Sequence, residues 1–173
     1  NKYLNTNNVL FIAIIRDPIL WINSFFKNPF HIPSENLINI ESFLFNKFYS
    51  VYESGEIIPE DFNYITKQKY KNIFEMRDFK NNYLINILPK KVKNYYFLKL
   101  EDFNKNPEKI LNDIVIKFNL SKKNNTKNDV LLYTRGDKTG GNFTGREITL
   151  NDEIIQIIKN NLNFEQEHLL GYL

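Results

Sequence analysis

The chain of 173 residues has no cysteine, two histidines, one methionine and one tryptophan. Without cysteine there is no disulfide framework, no thiolate zinc site and no cysteine nucleophile. With imidazole almost missing too, a transition-metal centre is not expected, because the ligands that hold such ions are scarce. No stretch reaches the roughly 20 apolar residues of a membrane span. The opening NKYLNTNN is neither a signal peptide nor an amphipathic presequence. Glycine and proline number six each and gather into no linker, and no repeat recurs, so one domain over 1–173 is expected. The compartment stays open, with the cytoplasm favoured.

What is present points to a packed core. Aromatics make up 15% and apolar residues 42% of the chain, too many for a disordered segment. A fold of this size buries about 70% of its unfolded surface. The net charge of +3 favours anionic ligands. Nucleic acid is not an expected partner, since the lysines are scattered and form no basic face. Nineteen lysines stand against four arginines, Arg16, Arg77, Arg135 and Arg146. In so Lys-, Asn- and Ile-rich a sequence, lysine is the background cation. A retained arginine is the stronger candidate, because its planar fork grips oxyanions in a way lysine does not.

Val9 to Ile15 (VLFIAII) is a continuous β-branched and aromatic run, which reads as a strand buried on both faces of a parallel sheet. Asp17-Pro18 then offers an N-cap and a first-turn proline, so a helix follows with Leu20, Trp21, Ser24 and Phe25. Residues 29–36 read as a loop. Leu37 to Tyr52 carries apolar residues at helical spacing, 53–66 reads as a loop, and a stripe from Lys69 to Leu88 reads as a helix stopped by Pro89. Asn94 to Leu100 reads as a second buried strand. Asn106-Pro107 opens a helix with Ile110, Leu111, Ile114, Val115 and Phe118 on one face. Thr149 and Asp152 bracket a cap for a helix through about Asn161. Two apolar strands among four or five helices mean an α/β fold with a parallel central sheet flanked by helices. Two strands are few for such a domain, and no initiator methionine is present. The chain therefore reads as part of a longer one.

Two stretches could carry chemistry. In R-D-P-x-x-W-x-x-S, Arg16 to Ser24, the arginine stands at the carboxyl end of a parallel strand, where α/β sheets bind ligands. The next helix is expected to add free amides and a positive dipole end. Ser24 shares a face with Trp21 and Asp17 by 3.6 periodicity. A guanidinium and a hydroxyl converging on one point suit a phosphate, and Trp21 offers a ring face to a base. The plainer alternative pairs Arg16 with Asp17 or Asp102 and puts Trp21 in the core. The second stretch, Arg135 to Gly145 (RGDKTGGNFTG), is glycine-rich enough for backbone amides to approach an oxyanion, though such turns are also common as plain surface loops.

Taken together, this pattern resembles the sulfotransferases that use 3′-phosphoadenosine 5′-phosphosulfate (PAPS). In that family a strand ends in R-[DN]-P, and a serine eight residues after the arginine helps to bind the 3′-phosphate; Arg16 and Ser24 have that spacing. The run FLKLEDFNKNPEKILNDIVIKFNL (97–120) is similar to the family's strand, E-D, N-P, helix and F-x-L segment. NNLNFEQEHLLGYL (160–173) is similar to its D-W-x-x-E-x-x-x-G-Y ending, and NIFEMRDFK (72–80) to a helix seen in some members. The resemblance implies a P-loop-like sulfotransferase fold. It also implies PAPS as co-substrate, no metal, and a small-molecule or glycan acceptor, with a carbohydrate-like hydroxyl favoured. Arg16 and Ser24 would contact the 3′-phosphate. Lys138, Thr139, Gly140 and Gly141, with Arg135 as an alternate, would fall in the late cofactor loop. Trp21 as an adenine contact is an inference from spacing alone.

The sequence departs from the family in three places. The P-K-x-G-T-[ST] loop that cradles the 5′-phosphosulfate, expected upstream of Val9, is not in these residues. Leu100 stands where many members have tyrosine, and Phe164 replaces the usual tryptophan of the ending. Without that loop the 173 residues are expected to turn over little or no substrate. His31, on the loop after the first helix, is the candidate base for the acceptor hydroxyl, although an ordinary loop histidine would look the same. Glu35 and Glu101 are weaker candidates, Glu101 reading rather as a residue that orders the strand end or caps the helix, and His168 reads as structural. Two other readings remain: a sulfotransferase-shaped binding domain without catalysis, and another nucleotide-dependent transferase of the same α/β class using Mg²⁺.

Overall fold

The computed structural model describes residues 4, 6–121, 132–135, 138–142 and 149–173; for 132–135 and 138–142 it gives the backbone alone. Strand β1 (Phe11–Ile15) pairs in parallel with β2 (Tyr95–Lys99), with Phe11 opposite Tyr95 and Ile15 opposite Lys99. Between them run α1 (Pro18–Lys27), α2 (Ile40–Phe45) and α3 (Ile73–Asn82). A π-helical turn at Tyr83–Ile87 and the short α4 (Leu88–Lys91) complete that connection. After β2 come α5 (Leu100–Lys105) and α6 (Pro107–Lys117). An antiparallel hairpin, β3 (Leu132–Arg135) and β4 (Lys138–Asn142), leads to α7 (Asp152–Asn161) and α8 (Phe164–Leu169). The chain is thus a mixed α/β fold with a small two-stranded parallel sheet and several helices.

Local chemistry accounts for most element ends. Asp17 caps α1 by accepting the Leu20 amide, with Pro18 next to it. Asn39, Asn72, Asn151 and Asn163 do the same for α2, α3, α7 and α8, each accepting the amide three residues on. This asparagine-rich sequence uses the residue as its standing helix cap. At α7 the cap is Asn151 rather than Thr149, whose amide and hydroxyl instead donate to the buried Asn23 Oδ1 at 3.1 Å each.

Three sequence expectations change. The run 37–52 is helical only over Ile40–Phe45. Beyond Asn46, Phe48 bridges Tyr70 and Val51 bridges Ile57 in extended geometry, because the β-formers Phe48 and Val51 find extended partners that outcompete the helix. Pro89 does not stop the third helix. The π turn before it restarts the bonding pattern, so Pro89 falls in the first turn of α4, where its missing N–H leaves no bond unmade. Finally, neither strand is buried on both faces: in β1 Ala13 and Ile15 are buried, but Ile12 is 47% and Ile14 55% exposed, and in β2 only Leu98 is buried. With only β2 beside β1, among the described residues no second layer covers the side of Ile12 and Ile14.

The main core lies between the helices. Phe43, Leu44, Phe48, Tyr70, Ile73 and Ile22 are buried together, with Ile158 and Leu162 from the α7 region closing it. Phe25 packs edge-on against Phe43 with ring centroids 5.4 Å apart, an arrangement worth somewhat more than its buried area. α1 is thereby fixed along its apolar side, which sets where its first residue points.

Candidate functional site

Arg16 is the first residue after β1 and half-buried. Among the described residues its guanidinium has no hydrogen-bond or ion-pair partner. Asp17, which the sequence offers as its mate, turns its carboxylate to the Leu20 amide at 2.9 Å. What is tightly held is the backbone beneath the side chain. The Arg16 carbonyl accepts from Arg77 Nη2 at 3.0 Å, and the next amide, Asp17 N–H, donates to Glu101 Oε1 at 3.0 Å. These are the two polar atoms of a single peptide unit.

Both holders are themselves anchored. Arg77 is 5% exposed and Glu167 1%, and they form a two-pronged ion pair, Nε to Oε1 at 2.5 Å and Nη2 to Oε2 at 2.9 Å. Glu101 Oε2 accepts from the Tyr172 hydroxyl at 3.0 Å. Burial, and then the hydrogen bond to Glu101, push the Tyr172 hydroxyl well above the usual tyrosine range, so it stays a donor. The Tyr172 ring lies 5.9 Å from the Arg77 guanidinium carbon and 4.7 Å from Lys99 Nζ.

The helix ending of α8 explains how Glu167 and Tyr172 reach these places. Tyr172 N–H bonds the Glu167 carbonyl and Gly171 N–H bonds that of His168, at 2.9 Å each. This is a Schellman ending with Gly171 in the left-handed region at φ 71°. A side chain at 171 would also meet Lys99 Nζ at 3.2 Å. The E-x-x-x-G-Y spacing is therefore the spacing that returns a tyrosine beside the glutamate one turn earlier. Asp78 on α3 fixes the start of α8, accepting from Asn163 Nδ2 and Gln166 Nε2 at 2.9 Å.

The first turn of α1 offers less to an anion than the sequence suggests. Pro18 has no amide, and Asp17 takes those of Leu20 and Trp21. Binding there falls to side chains. Ser24 is half-buried, two turns along α1 on the azimuth of Asp17 and about 10 Å up the axis. Trp21 packs on the core, its ring 5.7 Å from that of Phe25 and 5.3 Å from the Arg77 guanidinium carbon. Part of the ring face that the sequence offers to a base is thus occupied by Arg77. Arg135, Lys138, Thr139, Gly140 and Gly141 lie on the β3–β4 hairpin, with Arg135 paired to Lys138 and Thr134 to Thr139. Their side chains lie outside the described residues.

A separate cavity of about 670 Å³ opens beyond the far end of α1, lined by residues of 29–35 and 49–57. His31 lies in its wall, held twice by Val51. The His31 carbonyl accepts the Val51 amide at 2.9 Å, and ring Nδ1 lies 3.0 Å from the Val51 carbonyl. A carbonyl only accepts, so Nδ1 carries a proton, and in the neutral ring Nε2 is the acceptor. In the same wall Tyr49 donates to Glu35 at 2.5 Å. That bond lowers the Glu35 pKa and raises that of Tyr49. α1 is about 15 Å long, so its length separates this cavity from Arg16.

Sequence reasoning left Glu101 between ordering the strand end and capping the helix, and the structure has it accept the Asp17 amide just past β1; Arg77 was singled out only as one of four arginines. Glu167 and Tyr172 went unmarked as site residues, though the spacing of the ending carried the signal. His168 is exposed and stacks on Phe164 at 5.8 Å. Among the described residues, no group of three or more Asp, Glu or His stands ready to hold a metal ion, and no helix is long and apolar enough to cross a membrane. Comparison with known protein families, curated proteins and solved structures finds no match to this chain.

Proposed function

We propose that these residues form the nucleotide-holding part of a sulfotransferase that moves a sulfuryl group from PAPS to a hydroxyl acceptor, a carbohydrate-like one favoured. The observation that carries the reading is Arg16. It is an arginine at the carboxyl end of a parallel strand, with no partner among the described residues, on a backbone held from two sides. A partly buried guanidinium without a carboxylate suits an anionic ligand.

The roles follow from chemistry. Arg16 pairs with the 3′-phosphate and Ser24 donates its hydroxyl to the same group. Lys138 to Gly141, with Arg135, close over the nucleotide as a backbone-rich loop. Trp21 touches the base with whatever ring edge Arg77 leaves open. On the acceptor side, the loops 29–35 and 49–57 form the wall. His31 Nε2 takes the proton of the acceptor hydroxyl as that oxygen attacks sulfur, and 3′,5′-ADP leaves. The Val51 carbonyl fixes the tautomer this step requires. Glu35 holds Tyr49 in place across the same cavity.

Binding is the decisive test, because the residues that would activate the sulfuryl group are not in this sequence. Titration of 3′,5′-ADP into the 173-residue chain should raise its melting temperature by mass action. Arg16→Ala should cut that rise sharply. No shift at millimolar ligand would reject the reading. A shift undiminished by Arg16→Ala would move the site elsewhere.

A further inference from the structure

The peptide unit between Arg16 and Asp17 is held at both of its polar atoms by side chains from distant parts of the chain. Its carbonyl is held by Arg77 and its amide by Glu101. Each of these side chains leads onward to the last residues of the chain, Arg77 to Glu167 and Glu101 to Tyr172. The partners come from 61 and 84 positions away, so this is no by-product of local helix capping. Asp17 supplies the local cap by itself.

We propose that Glu167 and Tyr172 are positioning residues: acting through Arg77 and Glu101, they fix the peptide plane from which the Arg16 side chain departs. The proposal rests on the reading of Arg16 as an anion ligand. The orientation of a peptide plane sets the direction of the adjoining Cα–Cβ bond. An arginine whose stem already points at its ligand loses less rotamer freedom on binding. The bonds also resist rotation of that plane, since turning it would break both at once and leave a partly buried carbonyl and amide without these partners. The Schellman ending at Gly171 keeps the two relays in phase, because the Tyr172 amide, just past the helix, is bonded to the Glu167 carbonyl.

The test uses the full 173-residue chain, labelled with ¹⁵N, and compares it with Tyr172→Phe. That change removes one hydroxyl and keeps the ring. Leu169→Ala serves as control, because Leu169 lies on the same helix and is almost fully exposed. Without ligand, the Asp17 amide and Arg16 Nε–H resonances should move in Tyr172→Phe and stay in place in Leu169→Ala. With 3′,5′-ADP as probe, Tyr172→Phe should bind about three- to tenfold more weakly, the scale of one lost hydrogen bond to a carboxylate partly felt at the ligand. Glu101→Gln, which keeps an acceptor for the Asp17 amide, should retain more affinity than Glu101→Ala, a rescue that a merely structural role would not produce. Unmoved Arg16 and Asp17 resonances overturn the proposal, and so does unchanged affinity in Tyr172→Phe. If the unmutated chain binds no 3′,5′-ADP, the sulfotransferase reading falls, and the resonances alone decide the positioning role.

Discussion

The guanidinium of Arg77 donates to the backbone carbonyl of Arg16 across 3.0 Å, so one arginine orders the peptide on which another stands. Arg77 can do this because Glu167 neutralises it in the interior. A buried charge with a two-pronged partner and a further acceptor is tolerated, whereas one left alone is not.

Removing either member of that pair should therefore be costly. Glu167→Gln or Arg77→Ala is expected to destabilise the fold by about 3–5 kcal/mol, because the survivor is a buried, uncompensated charge. At this chain length that is a fall of roughly 10–15 °C in Tm. The double change Arg77→Met with Glu167→Leu should recover most of it. Thermal and urea unfolding followed by circular dichroism would check the series, and a double variant no better than the singles would count against the explanation.

Neighbouring isoleucines of β1 should behave oppositely. Ile14 is 55% exposed and Ile15 4%. Ile14→Lys is expected to change stability by no more than about 0.5 kcal/mol, as for an ordinary surface position. Ile15→Lys buries an unpaired ammonium and should prevent cooperative folding. Urea midpoints of the two variants give the answer directly.

Arg16 and Ser24 should contribute unequally to binding of 3′,5′-ADP. A charge-assisted fork to a phosphate is worth about twice a neutral hydroxyl bond. Arg16→Ala is thus expected to weaken binding by at least about 30-fold, and Ser24→Ala by about fivefold. Isothermal titration measures both, and equal losses would mean that Arg16 is not the primary contact.

The fold should become less stable at alkaline pH in part through Tyr70. Burial is the main cause that pushes its hydroxyl up to about 12. The ordinary value is near 10. Above pH 10 the unfolded chain therefore loses a proton that the folded one keeps. Stability from this residue is complete below pH 10 and is lost as pH rises from 10 to 12, on the order of 2 kcal/mol. Tyr70→Phe should flatten that part of the stability curve while leaving the slope below pH 9 unchanged. Denaturant midpoints against pH would show it.

Much of the fold was legible in the sequence because its signals are local. Asp17-Pro18, Pro107 and the apolar runs at 9–15 and 94–100 mark α1, α6, β1 and β2 through a cap at Asp17, fixed φ at the two prolines and β-propensity, all effects of near neighbours. The shortening of the second helix was not legible, because Phe48 turns to a strand partner, Tyr70, that lies 22 positions on. Pro89 misled for a similar reason, since a π turn ahead of it changed which amides were needed. At the candidate site, the spacing of Arg16 and Ser24 could be read off, and Glu101 could be narrowed to ordering the strand end or capping the helix. The loss of the helix amides to Asp17, and the ring of Trp21 lying under Arg77, could not.

By itself, then, the sequence determined where α1 and α6 begin, which arginine stands at a strand end, and the E-x-x-x-G-Y spacing of the last residues. Only the tertiary structure decided what those residues meet: Glu167 on Arg77, Tyr172 on Glu101, and both relays on one peptide beside Arg16. The physical reason is the range of the forces. Caps, propensities and periodicity act within a turn or two and are written in neighbouring letters. The pairing of a buried charge depends on which distant segment packs against it, and that is settled only when the whole core closes.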